Sequence, residues 1–320
     1  MVLSIRRLFL FAVCAVLLNG QPAAASGKFE DGRVSFEVEI NEVKSQYNVR
    51  ACLVMPGETV RIVSTVPVFI DAAEKHLAES SDYRWTAPDV PGTYSLRLRH
   101  KPTEETVAVQ VFVLTPHDRV KGYAIGKYPE KGGKYERPRG FIKVTAPDEK
   151  VWVSPHFQLR QFLCKQAGGY PKFVLVDERL LTKLELILER INSRGYRTDS
   201  LHVMSGFRTP AYNRSLGNVS LSRHLFGDAA DIYVEGAGGQ MADLNRDGKR
   251  NVADAEYLRA LILELEGEGR EDFAPGGVGH YRSTHSHGPY VHVDARGEKA
   301  RWVGTGIKVA EQKGSSDFQY

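Results

Sequence analysis

From about Lys28 to Pro116 apolar and polar positions alternate with the two-residue period of a strand that has one buried face. The clear runs are R-V-S-F-E-V-E-I, E-T-V-R-I-V-S, Y-S-L-R-L-R and E-T-V-A-V-Q-V-F-V, separated by the turn-like M-P-G-E, A-P-D-V-P-G and K-P-T-E-E. Short strands punctuated by Pro and Gly predict an all-β sandwich over residues 27–116. The period then changes. Between Asp177 and Arg194 the residues Leu180, Leu181, Leu184, Leu188 and Ile191 form a helical stripe, and Gly195 stands where a helix stops. Leu201 to Met204, Ala229 to Val234 and Tyr290 to Asp294 read as short strands. Residues 151–305 are therefore expected to form an α+β domain, interrupted by an insertion over about 236–272. Residues 117–150, rich in Lys, Arg, Gly and Pro, read as a basic linker, and 306–320 as a polar tail.

Composition adds three constraints. With 320 residues, 42% of them hydrophobic, the chain is long enough for two domains and has the apolar content for buried cores, which excludes wholesale disorder. A net charge of +4 is too mild to argue for nucleic acid. At the N-terminus, Arg6 and Arg7, the apolar Leu8 to Leu18 and the small residues Ala23-Ala24-Ala25-Ser26 predict a signal peptide over 1–26. No later segment is long and apolar enough to span a membrane, so the expected location is periplasmic or secreted. Cys14 falls in the signal; Cys52 and Cys164, in different predicted domains, could pair as a disulfide or stand as two separate buried thiols.

The candidate chemistry lies in S-R-H-L-F-G-D-A-A-D-I-Y-V (Ser222 to Val234) and Y-V-H-V-D (Tyr290 to Asp294). His224, Asp231 and His292 offer two imidazoles and a carboxylate, a set that suits zinc with a fourth position open. Alternate strand residues share a face, so Tyr290, His292 and Asp294 point one way. If the two strands pair, Asp231 and His292 converge, with His224 entering from the preceding loop. Spacing alone favours the bland outcome, since a lone strand His is usually packed or exposed. A second motif, D-L-N-R-D-G-K-R-N-V-A-D, puts Asp243, Asn245, Asp247, Lys249 (through its carbonyl), Asn251 and Asp254 at the offsets of an EF-hand calcium loop, with Gly248 at the sharp turn. An ordinary polar turn has the same composition.

The two histidine-bearing strings resemble the LAS zinc peptidases, and within them the D-Ala-D-Ala carboxypeptidase-like murein peptidases. The likeness extends through S-P-H-F-Q-L-R-Q-F-L-C, S-G-F-R-T-P-A-Y-N and G-V-G-H-Y to about Trp302. It implies a hedgehog-like fold, a small antiparallel sheet with helices, and zinc on His224, Asp231 and His292. It also implies peptidoglycan stem peptides or cross-links as substrate, Ser222 near the substrate carboxylate and Arg208 near the reacting carbonyl, while Asp294, two residues after His292, is expected to orient that His or its neighbours. The sequence departs from the family at the general base. The Glu expected three residues before the last His is Pro289, and the first His of a His-x-His pair is Tyr290. His285 and His287 are the replacement candidates, with His280 a third. The runner-up reading is a non-catalytic zinc-containing wall- or protein-binding module. W-T-A-P-D-V-P-G-T-Y-S-L resembles bacterial immunoglobulin-like modules. The 243–254 loop with its following A-E-Y-L-R-A-L-I resembles a dockerin calcium loop, but as a single loop, so no cohesin partner is expected.

Overall fold

The computed structural model describes residues 29–304 except Glu74, so the expected signal peptide and polar tail lie outside the described residues. The first region is all β: β1 (Arg33–Ile40), β2 (Val43–Tyr47), β3 (Val49–Val54), β4 (Thr59–Ala72), β5 (Lys75–Thr86), β6 (Gly92–His100) and β7 (Glu105–Val113). Their order is β2-β1-β4-β6-β7-β3, with β5 on β4, and every pairing is antiparallel except β3 with β7. The front of β4 takes β1 as neighbour and its end takes β6, with a register shift against β5 between Val63 and Val68. The alternating apolar residues, Val38, Ile40, Ile62, Ile70, Leu98 and Val109 among them, meet in one interior as the period predicts. β5, largely exposed and mostly polar up to Asp82, with Tyr83 and Trp85 alternating against the core at its end, is outside the strands that the sequence predicts.

The segment expected as a basic linker is instead packed. β8 (Thr115–Pro116) and β9 (Gly140–Val144) join β12 (Lys172–Val174) in a three-stranded sheet, while β10 (Trp152–Ser154) and β11 (Phe157–Gln158) form a hairpin. Ile125, Tyr128 and Phe141 are buried in the core that also holds Leu184 and Leu225. Their burial outweighs the basic residues between them, which point to solvent. Cys52 and Cys164 are both buried and unpaired, in different cores, which removes the disulfide alternative.

The remainder is α+β. Asp177 caps α1 (Glu178–Ser193) by accepting from the Arg179 N–H, and the predicted stripe is buried. β13 (His202–Ser205), α2 (Pro210–Ser215), β14 (Ala229–Tyr233), α3 (Val252–Gly267), β15 (Gly277–Tyr281), β16 (Tyr290–Asp294) and β17 (Ala300–Gly304) follow. The five strands form one sheet, β13-β14-β16-β15-β17, parallel only between β15 and β17. α3 packs through Ala255, Leu258, Ile262 and Leu265 against β15, β16 and α1. Helices thus seal one face of the sheet, and the polar side chains of β14 and β16 collect on the other.

Candidate metal centre

The site is built on strand register. Asp231 lies directly opposite His292, and His292 opposite Gly279, so the Asp231 and His292 side chains rise from one face of the sheet. His224 enters from a short 3-10 turn, Arg223–Phe226, closed by Gly227 at φ +77°. A Cβ there would sit 2.6 Å from Leu175, so only glycine turns the chain tightly enough into β14.

Three donor atoms converge. His224 Nε2 is 3.2 Å from Asp231 Oδ1 and 3.2 Å from His292 Nδ1, which in turn is 2.9 Å from Asp231 Oδ1. All three residues are buried. The far nitrogen of each ring is already engaged: His224 Nδ1–H donates to the Gly206 carbonyl (2.6 Å), and His292 Nε2–H to Asp294 Oδ2 (3.2 Å). These bonds set the tautomers and leave bare nitrogens facing the centre. A proton on His292 Nδ1 satisfies Asp231 alone, whereas a cation satisfies all three donors at once. Two imidazoles and a carboxylate, oriented by outer hydrogen bonds, fit zinc.

The electrostatics agree. Burial pushes the His224 imidazole down to about 4, and the Arg208 cation adds to it, so the ring is neutral and able to ligate. Burial opposes charge on Asp231 too, but His224 and Arg208 hold its carboxyl well below the usual carboxylate range. For His292, burial lowers the pKa, yet the bonds to Asp231 and Asp294 leave it raised overall.

Arg208 reaches the site, but its guanidinium is turned onto a ligand: Nη2 donates to Asp231 Oδ2 (2.5 Å) and Nε to Ser205 Oγ (2.8 Å). Ser222 opens the His224 turn, half-buried, and its side chain makes no cap bond. Asp294 is buried behind the His292 ring, accepting also from Gly277 N (2.8 Å) and from the Arg296 fork (2.6 Å at Nη2). The expected base histidines stand apart from the donor group. His285 is exposed. His287 spends Nδ1–H on the Gly288 carbonyl (2.8 Å) and meets the edge of Tyr290 at 5.0 Å. His280, next to Gly279, points to the helical face, where its Nε2 lies 3.3 Å from Glu256; strand alternation excludes it from the centre.

Sequence reasoning did not find the lid over His292. Trp302 lies 5.1 Å from the His292 ring and directly over Gly279, where a Cβ would meet its indole at 2.3 Å. The absent side chain in G-V-G is the one signal that something large occupies that space. In the 243–254 loop, Asp243 accepts from the N–H groups of Asp247 and Gly248, Asp247 from Lys249, and Asp254 from Leu244 and Asn251. Among the described residues, the one group of three acidic, histidine or cysteine side chains whose ligand atoms converge is His224, Asp231 and His292.

Residues 155–256 match the model of the family described as Peptidase M15. The match spans about a third of the chain, takes in Arg208, Ser222, His224 and Asp231, and ends before His292. No curated protein matches the chain. The class that the match and the donor set support together is a peptidase, of the metal-dependent kind.

Proposed function

We propose that the protein is an exported zinc-dependent peptidase that hydrolyses peptide bonds in peptidoglycan stem peptides or cross-links. The observation that carries this reading is the convergence of three buried, oriented donor side chains within and just beyond a segment similar to Peptidase M15. Zinc in such a site supplies Lewis-acid polarisation of a carbonyl and acidifies water. The chain's own residues supply the rest. Asp294 and the Gly206 carbonyl hold the imidazoles, Arg208 holds Asp231, and Ser222, at the mouth of the His224 turn, takes the substrate carboxylate. One observation favours the runner-up, a non-catalytic wall-binding module: neither His285 nor His287 joins the donor group.

Purified protein offered defined muropeptides, with and without chelation and zinc add-back, separates the two readings. Chelator-sensitive cleavage is expected, and His292→Ala should lose both metal and activity. Binding of muropeptides without cleavage would replace the peptidase with the binding module.

The same reading includes one calcium on the 243–254 loop. It is supported by the ligand offsets and by Gly248 at φ +81°, where the loop turns. Calcium should raise the melting temperature, magnesium less so, and Asp243→Ala with Asp247→Ala should abolish the shift while zinc stays bound. No shift in the parent protein would reduce the loop to a polar turn.

A further inference from the structure

Hydrolysis of a peptide bond puts negative charge on the carbonyl oxygen, and the donors that the sequence offers for it are largely committed elsewhere among the described residues. Two arms of the Arg208 fork are spent on Asp231 and Ser205, and the side chain is only 13% exposed. His287 uses its Nδ1–H on a backbone carbonyl, and His285 lies out in the exposed loop.

Tyr290 occupies the right position. It lies two residues before His292 on β16 and therefore on the same face, and it pairs across the sheet with Tyr281. The two rings stack at 4.6 Å and 8°, while His287 closes edge-on at 5.0 Å. Tyr281 is itself held by the Trp302 indole N–H at 2.7 Å, and Trp302 rests on His292. Tyr290 is thus clamped to the wall that covers the metal ligands. Its hydroxyl differs from those of its neighbours. Tyr233 donates to the Gly239 carbonyl (2.8 Å) and Tyr281 accepts from Trp302, but the Tyr290 hydroxyl has no partner among the described residues. A half-buried, rigid phenol with an uncommitted O–H is a preorganised donor.

We infer that Tyr290 is a catalytic residue whose O–H donates a hydrogen bond to the scissile carbonyl oxygen as that oxygen gains charge. The proton stays on the phenol, and no bond to Tyr290 forms or breaks. The inference rests on the peptidase reading above. It gives a function to the tyrosine that replaces a histidine of the resembled pattern.

The test compares zinc-loaded wild type, Tyr290→Phe and, as a control on the adjacent strand, Tyr233→Phe. The readouts are steady-state cleavage of a defined muropeptide, zinc content, and calorimetric binding of both a phosphinate analogue of the tetrahedral state and the cleaved product. Tyr290→Phe should keep its zinc and its product affinity, yet lose about 10²–10³-fold in kcat, with a matching loss of phosphinate affinity. Tyr233→Phe should stay within about twofold of wild type on every readout, as expected for a residue outside the reaction. Wild-type-like kcat in Tyr290→Phe, or equal losses of phosphinate and product affinity, overturns the assignment. A wild type that binds zinc but neither cleaves nor binds phosphinate overturns the peptidase reading as well, and that failure shows in the wild-type arm, whereas failure of Tyr290 alone shows only in the variant.

Discussion

Asp294→Asn tests how the metal centre is held, because it changes charge and donor pattern with almost no change in shape. The carboxylate is fully buried. Oδ1 accepts from Gly277 N (2.8 Å) and Arg296 Nε (2.9 Å), and Oδ2 from His292 Nε2 (3.2 Å) and Arg296 Nη2 (2.6 Å). An asparagine must turn its amide N–H groups toward one of these donor sets. If the amide faces Oδ2's partners, the His292 ring loses its acceptor, and the tautomer that protonates Nδ1, the ligating nitrogen, is no longer disfavoured. Loss of such an outer-shell partner typically costs 10–100-fold in metal affinity, about 1.4–2.7 kcal/mol. A second effect is separate. Arg296, 14% exposed, loses its bidentate carboxylate, which should destabilise the metal-free fold by about 3 kcal/mol, the lower end for breaking a buried pair because the guanidinium keeps some solvent. Chelator competition reads the first effect, and denaturant unfolding of metal-free protein reads the second. Asp294→Asn with Arg296→Met should recover most of the stability but none of the zinc affinity. Wild-type zinc affinity in the single variant, or recovery of affinity in the double, would refute the claim that Asp294 acts by orienting His292.

Three further outcomes follow from the same geometry. Arg208→Ala should weaken zinc binding about tenfold as well as slow turnover, since it strips the buried Asp231 of its cation; full zinc affinity with only turnover lost would return Arg208 to the substrate. Gly279→Ala drives a Cβ into the Trp302 indole and should cost about 1–3 kcal/mol by overpacking, with a change in tryptophan fluorescence; an unaltered melting temperature and spectrum would show that the lid is not packed as described. His156 is held against the buried Glu185 at 2.7 Å; burial opposes its charge, but the Glu185 bond outweighs it and its pKa is raised. A raised folded-state pKa means the stabilisation is complete below the unfolded value of about 6.5 and is lost as pH rises through the folded one. His156→Gln should therefore flatten the fall in melting temperature on the alkaline side of neutrality, and a wild-type pH profile in that variant would discard the pair.

Where side chains alternate, the chain could be read directly. The strand periods put Asp231 and His292 on faces that converge if their strands pair, and the register does pair them. α1 was legible because five apolar residues at helical spacing have no other way to be buried together. What escaped is what alternation does not encode. Gly277 and Gly279 leave blanks on the face that Trp302 fills, so β15 carries no apolar rhythm on that side. β5 is bonded along β4 yet buries little, so its sequence is free to be polar. In 117–150, Tyr128, Tyr135 and Phe141 are too far apart among charged residues to show a period, and their burial depends on partners such as Phe226 that a local window does not contain. The Arg208–Asp231 contact joins residues 23 apart past a register shift between Val203 and Ser205, which no spacing rule predicts.

The first sheet grips α1 along its length. Arg50, on β3, pairs with Glu178 at the start of the helix, while Arg33 and Tyr47 both bond Glu189, three turns on. Ala51 and Phe112 of that sheet are buried in the same core as Leu184 and Ile187. α1 in turn sends Lys183 to the Asp294 carbonyl at 2.7 Å. The β region is therefore not portable. A chain cut after Pro116 would strand the Glu178 carboxylate without its cation and uncover apolar surface on the helix that braces β16. The unit that can be expressed, swapped or redesigned is the described chain from the first strand onward, because the first sheet is part of what holds the helix behind the candidate site.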